Sequence, residues 1–340
     1  MARVLVTGGA GFIGSHLTER LIERGDAVTV LDDLSTGRRE NLEALDGRPG
    51  FAFVDGSVLD EELVQRLASQ ADLVFHLAAA VGVDWVLRHP LRSLETNIRG
   101  TENVLRACAP GRRRLLIAST SEVYGKNDRD ALSEDDDRVL GSARLSRWSY
   151  AAAKSIDEAF ALAYWYERQL PVVVVRLFNT VGPRQTGVYG MVVPRLVGQA
   201  LRNEPLTVYG DGQQTRCFTN VRDVVRALLA LVATPSAAGE IFNIGQPSEI
   251  GILDLARRIV EVTGSASEIK LVPYEAAEAY GELATGYEDM RRRIPDARKL
   301  YRYTGFRPST PLDETLREVV EYARSAVSGQ QSAGGAVQRV

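Results

Sequence analysis

The sequence predicts an α/β fold in which a doubly wound parallel sheet is followed by a smaller second domain. Short apolar segments, such as 4–6, 27–31 and 73–77, have the composition of strands buried on both faces. Segments with helical character, among them 13–23, lie between these strands, as in a parallel sheet. A glycine-dense turn at 7–14 joins the first strand to the first helix, and this arrangement is typical of a ligand-binding sheet edge.

Composition excludes several classes of protein. The chain has 340 residues, enough for two domains, and its net charge of −3 argues against a nucleic-acid partner. Cys108 and Cys217 lie far apart, which argues against a disulfide framework or a metal cluster. No apolar run has membrane-spanning length, and a strand begins at once at the N-terminus, without room for a signal peptide. We therefore expect a soluble cytoplasmic protein that binds no metal and no membrane.

The glycines of the first turn predict a dinucleotide site. Gly9-x-Gly11-x-x-Gly14 fits the dinucleotide fingerprint, and Gly8-x-x-Gly11-x-x-Gly14 fits a more open variant. A tight turn needs residues without Cβ, the backbone must approach a pyrophosphate, and the helix N-terminus offers N–H groups to that anion. The strand before the turn and the helix after it supply the required context.

An acidic strand end indicates which dinucleotide binds. Asp32 and Asp33 end the second strand about 20 residues after the glycines, where a carboxylate accepts hydrogen bonds from the adenosine ribose. A carboxylate there repels a 2′-phosphate, so we expect NAD rather than NADP, although Arg38 and Arg39 lie nearby. The other predicted cofactor contacts lie in the glycine turn, at strand ends and on the following helix: Phe12, Ile13, Ser35, Thr36, Gly37, Gly56, Ser57, Leu77, Ala78, Ala79 and Asn97.

Candidate catalytic residues follow the fifth strand. The strand at 114–118 delivers Ser119-Thr120-Ser121-Glu122 to the same edge of the sheet. Tyr150 and Lys154 are four residues apart and share one face of a predicted helix. An ammonium beside a phenol favours the phenolate, so we expect Lys154 to lower the pKa of Tyr150 and make it an acid/base group.

Taken together, the motifs resemble one enzyme family. The sequence is similar, over about residues 2–325, to extended short-chain dehydrogenase/reductases of the nucleotide-sugar epimerase/dehydratase family. This resemblance is carried by GGAGFIG, HLAA, STSEVYG, Y-x-x-x-K, RLFNTVGPR, VYGDGQQTRCFTNVRD and RRRIPDARKL. The segments SRWSY, RCFT and GYEDM-x-x-R resemble most the UDP-glucuronate 4-epimerases and the UDP-glucuronate decarboxylases.

The resemblance implies a domain plan. It gives a Rossmann domain at 1–179, to which 217–246 return, and a discontinuous substrate domain at 180–216 and 247–326. We interpret 327–340 as a disordered tail, because it is rich in Gly, Ser, Gln and Ala. Family members pair through the helices that hold Asn97 and Tyr150, so the resemblance also implies a homodimer.

The resemblance further implies a UDP-sugar substrate and NAD as cofactor. Thr120, Tyr150 and Lys154 match the family's catalytic residues. The implied substrate contacts are Ser121, Glu122, Tyr150, Asn179, Thr207, Tyr209, Arg216, Tyr287 and Arg293.

The expected reaction is C4 epimerisation of UDP-glucuronate to UDP-galacturonate through a 4-keto sugar. The segment GPRQTGVYGMVVPR resembles epimerases and favours this reaction. Glu122 and Arg293 match residues of decarboxylases, however, and the 4-epimerases carry a serine in place of Glu122 and an arginine near Thr186. UDP-glucuronate decarboxylation is therefore the first alternative function, and 4-epimerisation of UDP-glucose is the second.

Two other functions fit less well. A 4,6-dehydratase carries Asp-Glu where this chain has Ser121-Glu122, so the acid for departure of the C6 hydroxide is missing. A binding module without turnover would not need Thr120, Tyr150 and Lys154 together.

Overall fold

The computed structural model describes residues 1–82, 88–187, 191–279 and 290–334. The strands are β1 (Arg3–Thr7), β2 (Ala27–Asp32), β3 (Phe51–Asp55), β4 (Leu73–His76), β5 (Arg114–Thr120), β6 (Val172–Leu177), β7 (Thr180–Val181), β8 (Leu206–Tyr209), β9 (Thr215–Cys217), β10 (Thr219–Asn220), β11 (Ile241–Ile244), β12 (Glu249–Gly251) and β13 (Ile269–Val272). The helices are α1 (Phe12–Glu23), α2 (Glu61–Gln70), α3 (Pro90–Cys108), α4 (Ser149–Arg168), α5 (Val192–Leu201), α6 (Val221–Ala233), α7 (Ile252–Thr263), α8 (Tyr274–Ala279), α9 (Arg298–Thr304) and α10 (Leu312–Gly334).

Seven of these strands form one parallel sheet in the order β3-β2-β1-β4-β5-β6-β11. Side chains alternate across it: Val4 and Val6 belong to the core beneath α1 and α6, whereas Leu5 belongs to the core beneath α2, α3 and α4. Both faces are therefore covered by helices, which explains the near-continuous apolar strands. The predicted doubly wound sheet is confirmed.

A third hydrophobic core lies beside this sheet, apart from the two cores on its faces. It is formed by side chains of β8, α5, α7 and α10, for example Val208, Leu196, Leu255 and Leu316. The Asn220 side-chain amide, at the start of α6, donates to Thr315 Oγ1 at 3.1 Å and to Glu318 Oε2 at 3.0 Å. These bonds tie α10 to the start of α6, the helix that leads back to the sheet. The boundaries of the two domains stay a prediction.

Some elements differ from expectation. The helix predicted from Asn97 begins at Pro90, because proline suits the first helical position. The last helix continues to Gly334 rather than ending at residue 326, so the predicted tail starts too early; Ala and Gln sustain a helix that packing has already nucleated. Residues 335–340 lie outside the described chain. Within the described ranges, no helix is both long and apolar enough to cross a membrane.

The glycine turn packs against its own backbone. Gly8 has φ +73°, and its N–H donates to the Leu31 carbonyl at 2.8 Å. A Cβ on Gly14 would lie 2.1 Å from the Gly8 carbonyl oxygen, and a Cβ on Gly8 would lie 2.6 Å from Ala78 N. These contacts leave no room for a side chain at either position.

We therefore expect Gly14→Ala to displace the turn. It should lower the free energy of unfolding by about 1–3 kcal/mol, as overpacking does, and weaken NAD⁺ binding, as checked by urea denaturation and calorimetric titration. The matched control is Gly198→Ala in α5, whose added Cβ would meet only the flexible Arg202 side chain at 3.2 Å. Equal effects of the two substitutions would contradict the packing explanation.

A buried ion pair joins α4 to β6. The Arg176 guanidinium donates to both oxygens of Glu158 at 2.9 and 2.8 Å, and the Ser119 hydroxyl donates to Glu158 Oε1 at 2.6 Å. The two charged side chains are only 4% and 2% exposed. Each buried charge is therefore stabilised by the opposite charge of its partner.

Arg176→Met should lower the free energy of unfolding by about 3–5 kcal/mol, because it leaves the buried Glu158 carboxylate with only the Ser119 hydroxyl and the partly exposed Arg138 guanidinium at 3.8 Å. The double variant Arg176→Met/Glu158→Leu should recover part of this loss in urea denaturation. Arg3→Met, which breaks the exposed Arg3–Asp72 pair, serves as the control and should leave stability unchanged. A double variant no more stable than the single one would contradict this explanation.

Candidate functional site

A cavity of about 650 Å³ opens at the carboxyl ends of the parallel strands. It runs from the glycine turn to the segment after residue 290 and gathers most of the predicted site residues. Its lining includes Gly8, Gly11, Phe12, Ile13, Asp32, Asp33, Ser35, Thr36, Gly56, Leu77, Ala78, Ala79, Thr120, Ser121, Glu122, Tyr150, Lys154, Asn179, Tyr209, Arg216 and Arg293.

Four predicted contacts lie behind the lining. Asn97 is fully buried and holds the chain after β4 by bonding the Ala80 N–H and carbonyl. Gly37 packs on the Asp32 carboxylate, and Ser57 Oγ accepts the Leu59 N–H at 3.3 Å. The fourth, Thr207, accepts from Gln199 and Arg195 side chains. These four support the cavity wall rather than line it, and Tyr287 lies outside the described residues.

The glycine-turn end of the cavity suits a dinucleotide. Gly11 is the N-cap of α1, and within the described chain no side chain caps this helix. Its first N–H groups are thus suited to an anion such as a pyrophosphate. No Cβ fits at Gly8 or Gly14, so backbone forms this wall, as close approach of a pyrophosphate requires.

The two acidic residues after β2 have different environments. Asp32 is 8% exposed and accepts the Ala10 and Leu34 N–H groups, each at 2.9 Å, so it braces the turn from within the cavity. Burial raises its pKa. Asp33 is exposed and accepts the Ser35 N–H at 3.0 Å. Both carboxylates keep acceptor capacity for ribose hydroxyls.

The catalytic candidates meet at the middle of the cavity, but their electrostatics differ from expectation. Lys154 is 2% exposed, and its Nζ lies 3.1 Å from Asp157 Oδ2, one helical turn further along α4. Burial raises the pKa of Tyr150, and the charges of Glu122 and Asp157 raise it further. In the protein without ligands the net shift is therefore opposite to the expected one, because burial of the phenol dominates and the Asp157 carboxylate lies beside the Lys154 charge.

A charged cluster forms the far end of the cavity. The Arg293 guanidinium donates to Glu122 Oε1 and, at 3.2 Å, to Ser121 Oγ, while Arg147 Nη2 lies 2.9 Å from Glu122 Oε2. Burial raises the pKa of Glu122, but the charges of Arg293 and Arg147 outweigh it and bring the value to about 2. Glu122 is therefore ionised at neutral pH.

Several charged residues with contacts in or beside the cavity were missing from the predicted set, among them Arg147, Asp157 and Arg195. Asp157 comes three residues after Lys154 on α4, so helical spacing was a signal that could have identified it. Arg147 lies just before α4, three residues before Tyr150. Arg195 lies with its guanidinium 4.4 Å from the centre of the Tyr209 ring, at the wall expected to hold the uracil.

Comparison with known proteins places this site in a family. The sequence matches the NAD dependent epimerase/dehydratase family over residues 4–245. It is 42% identical to a UDP-N-acetyl-alpha-D-glucosaminuronate decarboxylase of Bacillus cytotoxicus, over 95% of this chain and 98% of that protein. It is 37% identical to UDP-glucuronic acid decarboxylase 1 of Xenopus tropicalis, over 96% and 73% of the two chains.

Solved structures of UDP-sugar 4-epimerases share the fold of this chain. The UDP-glucose 4-epimerase of Thermotoga maritima, crystallised with UDP-glucose, superposes with a TM-score of 0.85 at 33% identity, covering 96% of this chain and 99% of the other. The UDP-glucuronic acid 4-epimerase of Bacillus cereus, in complex with UDP-glucuronic acid and NAD, gives 0.84 at 29% identity, with coverage of 95% and 99%. Since the family match spans well over half of the chain, this protein belongs to the NAD-dependent nucleotide-sugar epimerase/dehydratase family.

Proposed function

We propose that the chain catalyses the NAD-dependent decarboxylation of a UDP-linked hexuronate. The observation that carries the proposal is the buried contact of Glu122 with Arg147 and Arg293. The sequence alone favours C4 epimerisation of UDP-glucuronate, so the preference is reversed here. The decarboxylases support this change, since they are 42% and 37% identical to this chain, against 29% for the glucuronic acid 4-epimerase.

The charge of the cavity favours a substrate with several negative charges. Arg147, Arg216 and Arg293 are only 5–8% exposed, and Glu122 neutralises part of their charge. Guanidinium groups suit the oxygens of anionic ligands, so a lining with three of them favours a negatively charged substrate. A UDP-hexuronate offers a diphosphate, whose oxygens suit a guanidinium such as that of Arg216, and a carboxylate on C5 of the sugar.

The chain's own residues account for the proton transfers. The pKa of Tyr150 is raised in the protein without ligands, and the positive ring of bound NAD⁺ would favour its phenolate. In that form Tyr150 takes the proton of the sugar O4, and the Thr120 hydroxyl hydrogen-bonds that oxygen. When bound, NAD⁺ supplies reversible two-electron oxidation at C4. The oxidised sugar is a β-keto acid, so the bond between C5 and the carboxylate carbon can break. Its electron pair forms an enolate whose negative O4 is stabilised by Tyr150 and Thr120, and CO₂ leaves.

Glu122 favours loss of CO₂ over reduction of the 4-keto sugar with its carboxylate still in place. An arginine bound to the substrate carboxylate would stabilise it and oppose its departure. Here both arginines already contact Glu122, which stays ionised because its pKa is about 2. The substrate carboxylate then lies near a fixed negative charge, and its departure as neutral CO₂ relieves that repulsion. Protonation of C5 and reduction of C4 give a UDP-pentose.

The direct test is incubation of the purified protein with UDP-glucuronate, UDP-N-acetylglucosaminuronate and, as a control without a carboxylate, UDP-glucose. We expect one or both uronates to give a product lighter by CO₂, detected by chromatography and mass spectrometry. A product of unchanged mass that coelutes with UDP-galacturonate would establish epimerisation instead. Recovery of every starting sugar would contradict turnover of this substrate class.

Glu122→Gln should slow CO₂ release by about 100-fold, comparable with removal of one preorganised electrostatic group. Binding of the uronate should not weaken, because the freed arginines then hold its carboxylate, as checked by calorimetric titration. Glu261→Gln, at an exposed position on α7, is the control and should leave CO₂ release unchanged. Wild-type CO₂ release by Glu122→Gln would remove Glu122 from the mechanism.

A further inference from the structure

A buried acid outside the predicted set is bound to the catalytic lysine. Asp157 lies one turn after Lys154 on α4, its side chain is fully buried, and its Oδ2 is 3.1 Å from Lys154 Nζ. Burial raises the pKa of this carboxyl, whereas the Lys154 charge and the Thr101 side chain, on α3, lower it. Burying a carboxylate is costly without a partner, and here the Lys154 ammonium is that partner.

A chain of hydrogen bonds connects Thr101 with the glycine turn. His76 Nε2 lies 3.1 Å from Thr101 Oγ1, and His76 Nδ1 lies 2.8 Å from Thr7 Oγ1. The Ala78 N–H, on the cavity wall, reaches Thr7 Oγ1 at 3.4 Å. His76 and the two threonines are at most 1% exposed.

Burial, with the Lys154 charge, lowers the pKa of His76 to about 3, so its imidazole is neutral. A neutral imidazole donates through one ring nitrogen and accepts through the other, so one of the two threonine hydroxyls donates to His76 and the other accepts from it. The chain therefore fixes the side chain of Thr101, whose hydroxyl favours the ionised form of Asp157.

We propose that Asp157 is a positioning residue, which fixes the Lys154 ammonium and offsets its charge at the reacting end of the cavity. The lysine is thereby held in one place by a buried carboxylate on its own helix. The proposal rests on the NAD dependence of the site and is independent of which sugar reacts.

The charge of Asp157 acts on two equilibria in the cavity. NAD⁺ carries a positive ring charge that NADH lacks, so a nearby carboxylate favours NAD⁺ relative to NADH. The same carboxylate opposes ionisation of Tyr150. The charged groups that act on that phenol are Glu122 and Asp157, while Lys154, Arg147 and Arg293 line the same cavity.

The first test is the ratio of the dissociation constants for NAD⁺ and NADH, measured by fluorescence titration of cofactor-free protein without any sugar. Asp157→Asn should raise this ratio about tenfold, because the unpaired Lys154 charge then opposes the positive ring. Asp157→Glu should restore it toward the wild-type value. A purely structural role would weaken both cofactors equally and leave the ratio unchanged, which would overturn the proposal.

The second test is the pH dependence of turnover. Removing the negative charge favours the phenolate, so the acid limb of kcat for Asp157→Asn should move about one pH unit lower. Asp254→Asn, on the exposed surface of α7, is the control and should leave both readouts unchanged. An acid limb that stays in place or moves higher would overturn the proposal.

Thr101→Val provides a variant that keeps the charged pair and the side-chain shape. It removes the hydroxyl that lowers the pKa of Asp157, so less of the carboxyl is ionised and both readouts should move in the same direction by a smaller amount. This variant decides the matter if Asp157→Asn does not fold. Because the cofactor titration uses no sugar, a wrong substrate assignment would leave its outcome intact.

Discussion

The pairing of β1 with β4 is the constraint on which the site depends. It sets Thr7 opposite His76 and brings the backbone of Gly8 against Ala78. Parallel strands end at one edge of the sheet, so the glycine turn, the small residues after β4 and the hydroxyls after β5 converge there. The cavity width is consequently set by backbone packing, and the catalytic side chains enter a space whose walls are already fixed.

The buried charges around this edge fall into two kinds. Glu158 with Arg176, and Asp157 with Lys154, are buried ion pairs that orient the elements and side chains behind the cavity. Glu122, by contrast, meets two guanidinium groups that line the cavity itself. This second kind of cluster lies where we propose that the anionic substrate binds.

Much of the site could be predicted because its signals are local. The glycine spacing, the apolar strands and the helical spacing of Tyr150 and Lys154 each depend on neighbouring residues. The ammonium of Lys154 lies 3.1 Å from Asp157, three residues later on the same helix, so helical spacing could have indicated this partner as well as Tyr150. Thr207 was predicted to contact ligand, but its hydroxyl faces Gln199 and Arg195.

The choice between epimerase and decarboxylase was difficult for a chemical reason. Both reactions use the same base, lysine and cofactor up to the 4-keto sugar, so the motifs for these groups do not distinguish them. The difference lies in how the C5 carboxylate is held, and that depends on Glu122, Arg147 and Arg293. These residues are far apart in sequence, with Arg293 meeting Glu122 only in the folded chain.

The tie between Asn220 and the last helix sets an order for folding during synthesis. The seven-stranded sheet is complete once β11 has left the ribosome, because no later strand joins it within the described chain. The third core, beside the sheet, still lacks the side chains of Leu316, Val319 and Val320 at that stage. A nascent chain can therefore assemble its dinucleotide half early, while the half expected to hold the sugar waits for the C-terminus.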